Sequence, residues 1–192
     1  ENQMLWKITS LVFFLSLFVP LVPAHSAVLN VSSGDVTGLI AAIGSANANG
    51  EENTINLAPG TYTLTSIDNG QSPGSANGLP VISSAMTIKG GSAETTIIER
   101  EEGAGESPLE PEPTVPRFRI LLVAANGRLT IDGMTIRGGS TALRGGGISN
   151  GGTLTIHRSI IEHNSGLGGG GGVGNNGKIK LFTTHNRENF AH

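Results

Sequence analysis

The sequence predicts an all-β fold, a right-handed parallel β-helix (a solenoid of stacked strands) with a short N-terminal capping helix. The first observation behind this is a repeat. Leu129-Thr130-Ile131 recurs as Leu154-Thr155-Ile156, Ile136 as Ile161, Gly145-Gly146-Gly147-Ile148 as Gly170-Gly171-Gly172-Val173, and Asn150 as Asn175, each pair 25 residues apart. One repeat of strands cannot bury its apolar face alone, so a period of this length implies stacking. The second is composition: 29 glycines and 4% aromatic residues in 192 fit tight, repeated turns better than a two-layer globule. The third is a short helical stripe placed ahead of the first strand pattern.

Taken in chain order, Lys7 precedes the apolar run Ile8 to Val22, Pro20 and Pro23 interrupt it, and Ala24-His25-Ser26 supplies small residues at a cleavage spacing. Residues 1–26 therefore read as a secretory signal peptide. A membrane span needs roughly 20 apolar residues, and this run is shorter and ends in proline. No transmembrane span is expected once the signal is removed. The chain has no cysteine, so an oxidising compartment adds no disulfide and stability must come from packing and backbone hydrogen bonds.

Asp35 is a suitable N-cap, and Val36, Leu39, Ile40 and Ile43 fall at i, i+3, i+4 and i+7, predicting a helix over about 35–48 that ends near Asn49-Gly50. Thr54-Ile55-Asn56-Leu57 and Thr61-Tyr62-Thr63-Leu64 alternate on either side of Pro59-Gly60 and predict two strands around a turn. Val81-Ile82, Met86-Thr87-Ile88 and Ile97-Ile98 read as strands of less regular repeats. Two stretches read as loop insertions, about 66–80 (Gly, Ser and Asn) and about 99–116 (acidic and proline-rich). In the repeat proper, Leu129/Leu154/Ile179, Ile131/Ile156/Leu181 and Ile148/Val173 form interior ladders, glycines at 145–147 and 168–172 serve corners, and Asn150 stacks on Asn175. Apolar positions are lost after Leu181. The parallel β-helix domain is thus expected over 27–181, with 182–192 an irregular tail of the kind that truncation or a frameshift leaves.

Leu39 to Asn49 followed by Asn53-Thr54-Ile55-Asn56-Leu57-Ala58-Pro59-Gly60-Thr61-Tyr62-Thr63-Leu64 resembles the opening of bacterial exported pectate-lyase-like β-helix proteins. Many of these begin with a segment named for a Cys-Ser-Leu-Arg-Glu-Ala signature. Here Val36-Thr37-Gly38-Leu39-Ile40-Ala41-Ala42-Ile43 keeps the leucine and the small apolar residues and lacks the Cys, Arg and Glu. The resemblance implies a secreted or cell-surface address and a helix capping the first coil. It transfers no catalytic residue, since no lyase motif is present to receive one, and fold does not imply function.

Function classes narrow accordingly. A net charge of -3 offers no electrostatic footprint for nucleic acid. Arg137-Gly138-Gly139 and Arg144-Gly145-Gly146 read as corners, not RNA-binding segments, and Gly166 to Gly172 lacks the strand, helix and lysine of a phosphate loop. Asn30-Val31-Ser32 matches a glycosylation sequon that bacterial export leaves without meaning. The charged candidates are Asp132, Arg137, His157, Arg158, Glu162 and His163. Asp132 lies 25 before His157 and Arg137 lies 25 before Glu162, so each pair should stack on neighbouring repeats as a surface pair. His157 and His163 need not converge, so no zinc site is expected. The acidic stretch with Glu99, Glu101, Glu102, Glu106, Glu110 and Glu112 reads as a solvated charge run. The expected function is a non-catalytic secreted or surface module, serving as a structural, adhesion or carbohydrate-contact surface. The alternative is a polysaccharide lyase or glycosidase acting on acidic polysaccharide, and only under that alternative does calcium enter as a cofactor.

Overall fold

The computed structural model describes residues 26–70, 75–101 and 115–191. The segment read as a signal peptide lies outside these apart from Ser26, as do Glu102, Glu106, Glu110 and Glu112. The described chain is mostly β, with parallel sheets and a single helix. Strand β1 (Val28–Val31) leads into helix α1 (Val36–Asn49), then β2 (Asn53–Leu57), β3 (Gly60–Leu64), β4 (Ala85–Lys89), β5 (Thr96–Arg100) and β6 (Leu121–Val123). One repeat supplies β7 (Arg128–Asp132), β8 (Thr135–Arg137), β9 (Ser140–Thr141) and β10 (Ile148–Asn150). The next supplies β11 (Thr153–His157), β12 (Ile160–Glu162), β13 (Ser165–Gly166) and β14 (Val173–Asn175). The last comprises β15 (Lys178–Phe182), β16 (His185–Arg187) and β17 (Phe190–Ala191).

Each repeat thus gives one strand to each of several sheets. They are a six-stranded sheet ordered β1-β2-β4-β7-β11-β15, a five-stranded one ordered β16-β12-β8-β5-β3, and two of three strands, β14-β10-β6 and β17-β13-β9. The register fixes which side chains touch. Leu29, Ile55, Ile88, Ile131, Ile156 and Leu181 form one inward column, and Tyr62, Ile98, Ile136 and Ile161 a second. In the first column the four isoleucines are fully buried, because every layer is covered above and below.

Helix α1 packs against strands β1 to β4. The Asp35 carboxylate accepts from the Gly38 N–H at 2.8 Å, and Gly50, at φ 73°, ends the helix in the left-handed region. Leu39, Ile43 and Ala46 are fully buried beneath it. Asn53 occupies the same column as Met86 and is wholly buried, yet it is polar. Its amide donates to the Ala46 carbonyl, the Asn49 side chain and the Glu51 carbonyl, while its oxygen accepts from the Ala27 N–H at 2.9 Å. That network ties the helix end to the first two strands and satisfies every group it buries.

Three stretches carry more order than their composition reveals. Part of the insertion read at 66–80 is folded into the stack: Ala76, Asn77 and Leu79 are buried, and Asn77 bridges Asn69 on one side and Arg119 on the other. Leu79 provides the apolar surface, and the Asn77 amide finds the Asn69 side chain and the Ser75 carbonyl, which composition alone does not reveal. At the insertion read over 99–116, Glu99 and Arg100 complete β5 and Val115 is buried. Residues 182–191 are not irregular. β15 extends through Phe182, and β16 and β17 follow in register with β12 and β13. Backbone hydrogen bonds propagate the register whatever the side chain: His163 N–H donates to the Glu188 carbonyl and Phe190 N–H to the Asn164 carbonyl.

The corners repeat with the strands. Gly133, Arg158 and Thr183 all have positive φ (68°, 43° and 47°), as do Gly138, His163 and Glu188 (74°, 52° and 52°). A conformation that suits glycine in one repeat is imposed on larger residues in the next two by the register.

Replacing Ile131 by Ala should cost about 2–5 kcal/mol in urea unfolding, because the cavity lies between two rigid layers. The equivalent change at half-exposed Leu181 should cost under about 1 kcal/mol. Tyr62 is the sole tyrosine, is fully buried and donates to the Ala58 carbonyl at 2.9 Å. Burial first, and then the Asp35 charge, raise its pKa above the ordinary value. The fold therefore favours the protonated phenol, so this contribution is complete below about pH 10 and is lost as pH rises through the folded pKa. Phenolate absorbance, which reports Tyr62 alone, should show a midpoint above that of free tyrosine, together with alkaline loss of stability.

Candidate functional site

The five-stranded sheet carries an outward column one position beyond its apolar ladder. In register across β3, β5, β8, β12 and β16 it reads Thr63, Glu99, Arg137, Glu162 and Arg187. From Glu99 onward the sign alternates, so each charge meets its opposite at strand spacing. Thr63 Oγ1 donates to Glu99 Oε1 at 3.2 Å, Arg137 Nε donates to Glu99 Oε2 at 2.7 Å, and Arg187 Nε donates to Glu162 Oε2 at 3.0 Å. His163, at the adjoining corner, places Nε2 at 2.6 Å from Glu188 Oε2 and Nδ1 at 3.9 Å from Glu162 Oε1.

This column borders an open groove of about 610 Å³, lined by Thr63, Glu99, Arg100, Glu101, Arg137, Gly138 and His163. Arg100 forms its floor. Arg100 is 2% exposed, and its guanidinium donates through Nε to the Gly138 carbonyl at 2.8 Å and through Nη1 to the Glu101 carbonyl, and lies 6.0 Å from the Phe118 ring centroid. The rim is different. Arg137 and Glu99 are 40% and 20% exposed, so their pairing contributes about 0–1 kcal/mol to stability. The groove is therefore a rigid floor bearing a balanced set of donors and acceptors.

The residues singled out by sequence fall on two faces. Arg137 and Glu162 are in-register neighbours on this sheet, although Arg137 bonds to Glu99 on its other side. Asp132 and His157 are in-register neighbours on the six-stranded sheet, yet Asp132 Oδ2 is held by Arg158 Nη2 at 2.6 Å, and His157 stacks on Phe182 with centroids 4.6 Å apart. Asp132 Oδ1 is buried without a hydrogen-bond partner among the described residues. Arg158 and His163 hold positive φ at the turns that follow β11 and β12. Among the described residues no three His, Asp or Glu are placed to hold a metal ion. A second, smaller open groove of about 350 Å³ brings Glu94, Arg158 and His185 together. The Glu94 pKa is lowered, chiefly by the hydrogen bond from Ser92.

Sequence reasoning missed Glu99, Arg187 and Glu188 as members of the site. Glu99 was masked by its acidic neighbours, although Ile97-Ile98 placed it on a strand; Arg187 and Glu188 lie 25 beyond Glu162 and His163. Asparagine ladders support the corners behind the site. Asn150 donates to Asn175 Oδ1 at 2.6 Å, as the repeat implied. Asn164, fully buried, accepts from the Gly139 N–H at 2.9 Å and donates to the Ile136 and Glu162 carbonyls, and Asn189 repeats its position. Arg119 adds a buried clamp: Nε and Nη2 donate to the Gly145 and Arg144 carbonyls, Nη1 to Asn77 Oδ1, and desolvation lowers its pKa from the usual arginine range.

No helix among the described residues is long and apolar enough to cross a membrane. The chain matches no protein-family model, and neither curated proteins nor solved structures give a match. The amides, not the ions, should hold the site's scaffold. Asn164→Ala, which strands the buried Gly139 donor, should cost about 1–3 kcal/mol in thermal or urea unfolding, and Arg137→Ala less than about 1 kcal/mol.

Proposed function

We propose that the chain forms a right-handed parallel β-helix closed at its first layer by α1, and that it serves a secreted or cell-surface protein as a non-catalytic structural, adhesion or carbohydrate-contact module. Parallel sheets that receive one strand per repeat support the architecture. The observation that carries the functional reading is the charge ladder Glu99, Arg137, Glu162 and Arg187, in which the cations are engaged by carboxylates and the groove behind it is lined by fixed polar groups. A general base for polysaccharide cleavage needs a group with proton-accepting capacity directed at substrate, with carboxylates grouped for a cation. Here the Arg137 and Arg187 guanidinium groups are bound to glutamates, and the candidate residues are split between two faces. That arrangement suits hydrogen bonding to sugar hydroxyls and carboxylates better than proton abstraction.

The lyase or glycosidase reading is tested in the same experiment. Incubated with polygalacturonate, alginate and neutral glucans in the presence of calcium, the protein should release no unsaturated uronide, as followed by ultraviolet absorbance. It should retain at least one of these glycans in affinity electrophoresis, and the double substitution Glu99→Gln/Arg137→Ala should weaken retention about tenfold at unchanged fold stability. Calcium-dependent product release would replace this reading with the enzymatic one.

A further inference from the structure

The chain holds six Asn-Gly bonds, which follow Asn49, Asn69, Asn77, Asn126, Asn150 and Asn176. Each sets a side-chain amide, an electrophile, beside an unhindered nucleophile, because glycine presents its backbone nitrogen with no Cβ in the way. Ring closure between the two needs two freedoms. The amide must swing its Cγ over the backbone, and the following N–H must be released to attack.

The fold removes one or both freedoms at five of the six bonds. Asn49 exchanges hydrogen bonds with the Asn53 side chain at 2.8 and 2.7 Å. Asn69 donates to the Leu79 carbonyl and accepts from Asn77, both at 2.8 Å. Asn77 and Asn150 are buried, and the nitrogens that follow them, of Gly78 and Gly151, donate to the Arg119 and Val123 carbonyls at 2.8 Å. Asn126 donates to the Ser83 carbonyl at 2.9 Å, while the Gly127 N–H donates to the Ala124 carbonyl at 2.8 Å.

Asn176 differs on both counts. It is exposed at the turn between β14 and β15, and neither its side-chain amide nor the Gly177 N–H makes a hydrogen bond among the described residues. Register explains the free nitrogen. One repeat earlier the equivalent Gly152 N–H is held by Asn150 Oδ1 at 3.1 Å, whereas the equivalent acceptor, Asn175 Oδ1, is turned to Asn150 Nδ2 at 2.6 Å. The exposure belongs to the turn itself: Gly151 occupies the same position one repeat earlier and is exposed although β14 and β15 stack on its layer.

We infer that the Asn176–Gly177 bond is a site of spontaneous covalent modification. The Gly177 nitrogen attacks Asn176 Cγ, the Cγ–Nδ2 bond breaks, and ammonia leaves with the proton that the backbone nitrogen gives up. Water then opens the cyclic imide at either carbonyl, yielding aspartate or isoaspartate. Either product adds a carboxylate to the turn. Isoaspartate also places one more carbon in the backbone ahead of β15, next to the point where the Lys178 N–H donates to the Gly152 carbonyl at 2.8 Å.

The test is to hold the purified full chain at mildly alkaline pH, folded and in parallel in denaturing guanidinium chloride, and to follow all six bonds by peptide mapping with mass spectrometry. In the folded protein Asn176 should convert first, about tenfold ahead of the other five, the factor that one retained hydrogen bond contributes. In denaturant the six should convert at similar rates. Asn176→Gln, which lengthens the side chain and disfavours ring closure, should abolish the leading conversion and leave the other five unchanged. An Asn176 that persists in the folded protein while it converts in denaturant would overturn the inference. So would another Asn-Gly bond leading in the folded protein, or an equal lead for Asn176 in denaturant, which would make local sequence and not the fold its cause.

Discussion

Everything in this fold depends on parallel, in-register pairing of each repeat with the one before it. The hydrogen bonds that join layers run between backbone groups, so they set the position of every side chain without regard to its identity. Consequences follow at once. Identical positions stack, so an inward isoleucine is covered by another, as Ile131 is by Ile88 and Ile156. Outward charges meet their counterparts, as Arg137 meets Glu99. Corner residues inherit a left-handed conformation that began with Gly133 and Gly138 and is then adopted by Arg158 and His163. Register is thus both the source of stability and the source of the surface.

How much of this could be read from sequence divides along the same line. The apolar columns from Leu129 to Leu181, the Asn150 ladder and the Asp35-initiated helix were legible because apolar periodicity, a repeated asparagine and an N-cap leave direct marks in the chain. The strands after Leu181 were not, because their inward positions include Asn186, where Ile136 and Ile161 stand in earlier repeats. An apolar search stops there, whereas the turn residues continue: Asn189 follows Asn164, and Glu188 takes the corner of His163. Asn53 was legible as a strand residue but not as the joint between helix and sheet, since a buried amide with a full set of partners looks in sequence like any polar residue on an alternating strand. The 66–80 loop hides a further apolar anchor: glycine and serine surround the buried Leu79 and disguise it.

The candidate site was half visible. The offset of 25 residues brought Arg137 beside Glu162 and Asp132 beside His157, and both adjacencies hold, yet the ion pairs form with other partners. Each charged side chain has a neighbour above and below, and side-chain length and corner geometry decide which it takes. Arg158 reaches Asp132 from the next corner, leaving His157 to stack on Phe182. Charges arranged in this way neutralise one another along the sheet.

The central claim is that the layers from β7 through β11 to β15 are offset by 25 residues in solution, and the chain's lack of cysteine allows a direct measurement. Thr130 and Thr155 are in-register partners on the same outward column of β7 and β11, about 4.8 Å apart by strand spacing, which is within the reach of a disulfide. The double variant Thr130→Cys/Thr155→Cys should oxidise rapidly to a single intramolecular crosslink in folded protein. The control Thr130→Cys/Ile156→Cys, one residue out of register and facing the core, should not. Equal crosslinking of the two variants, or none in the first, would contradict the register from which the rest of the structure follows.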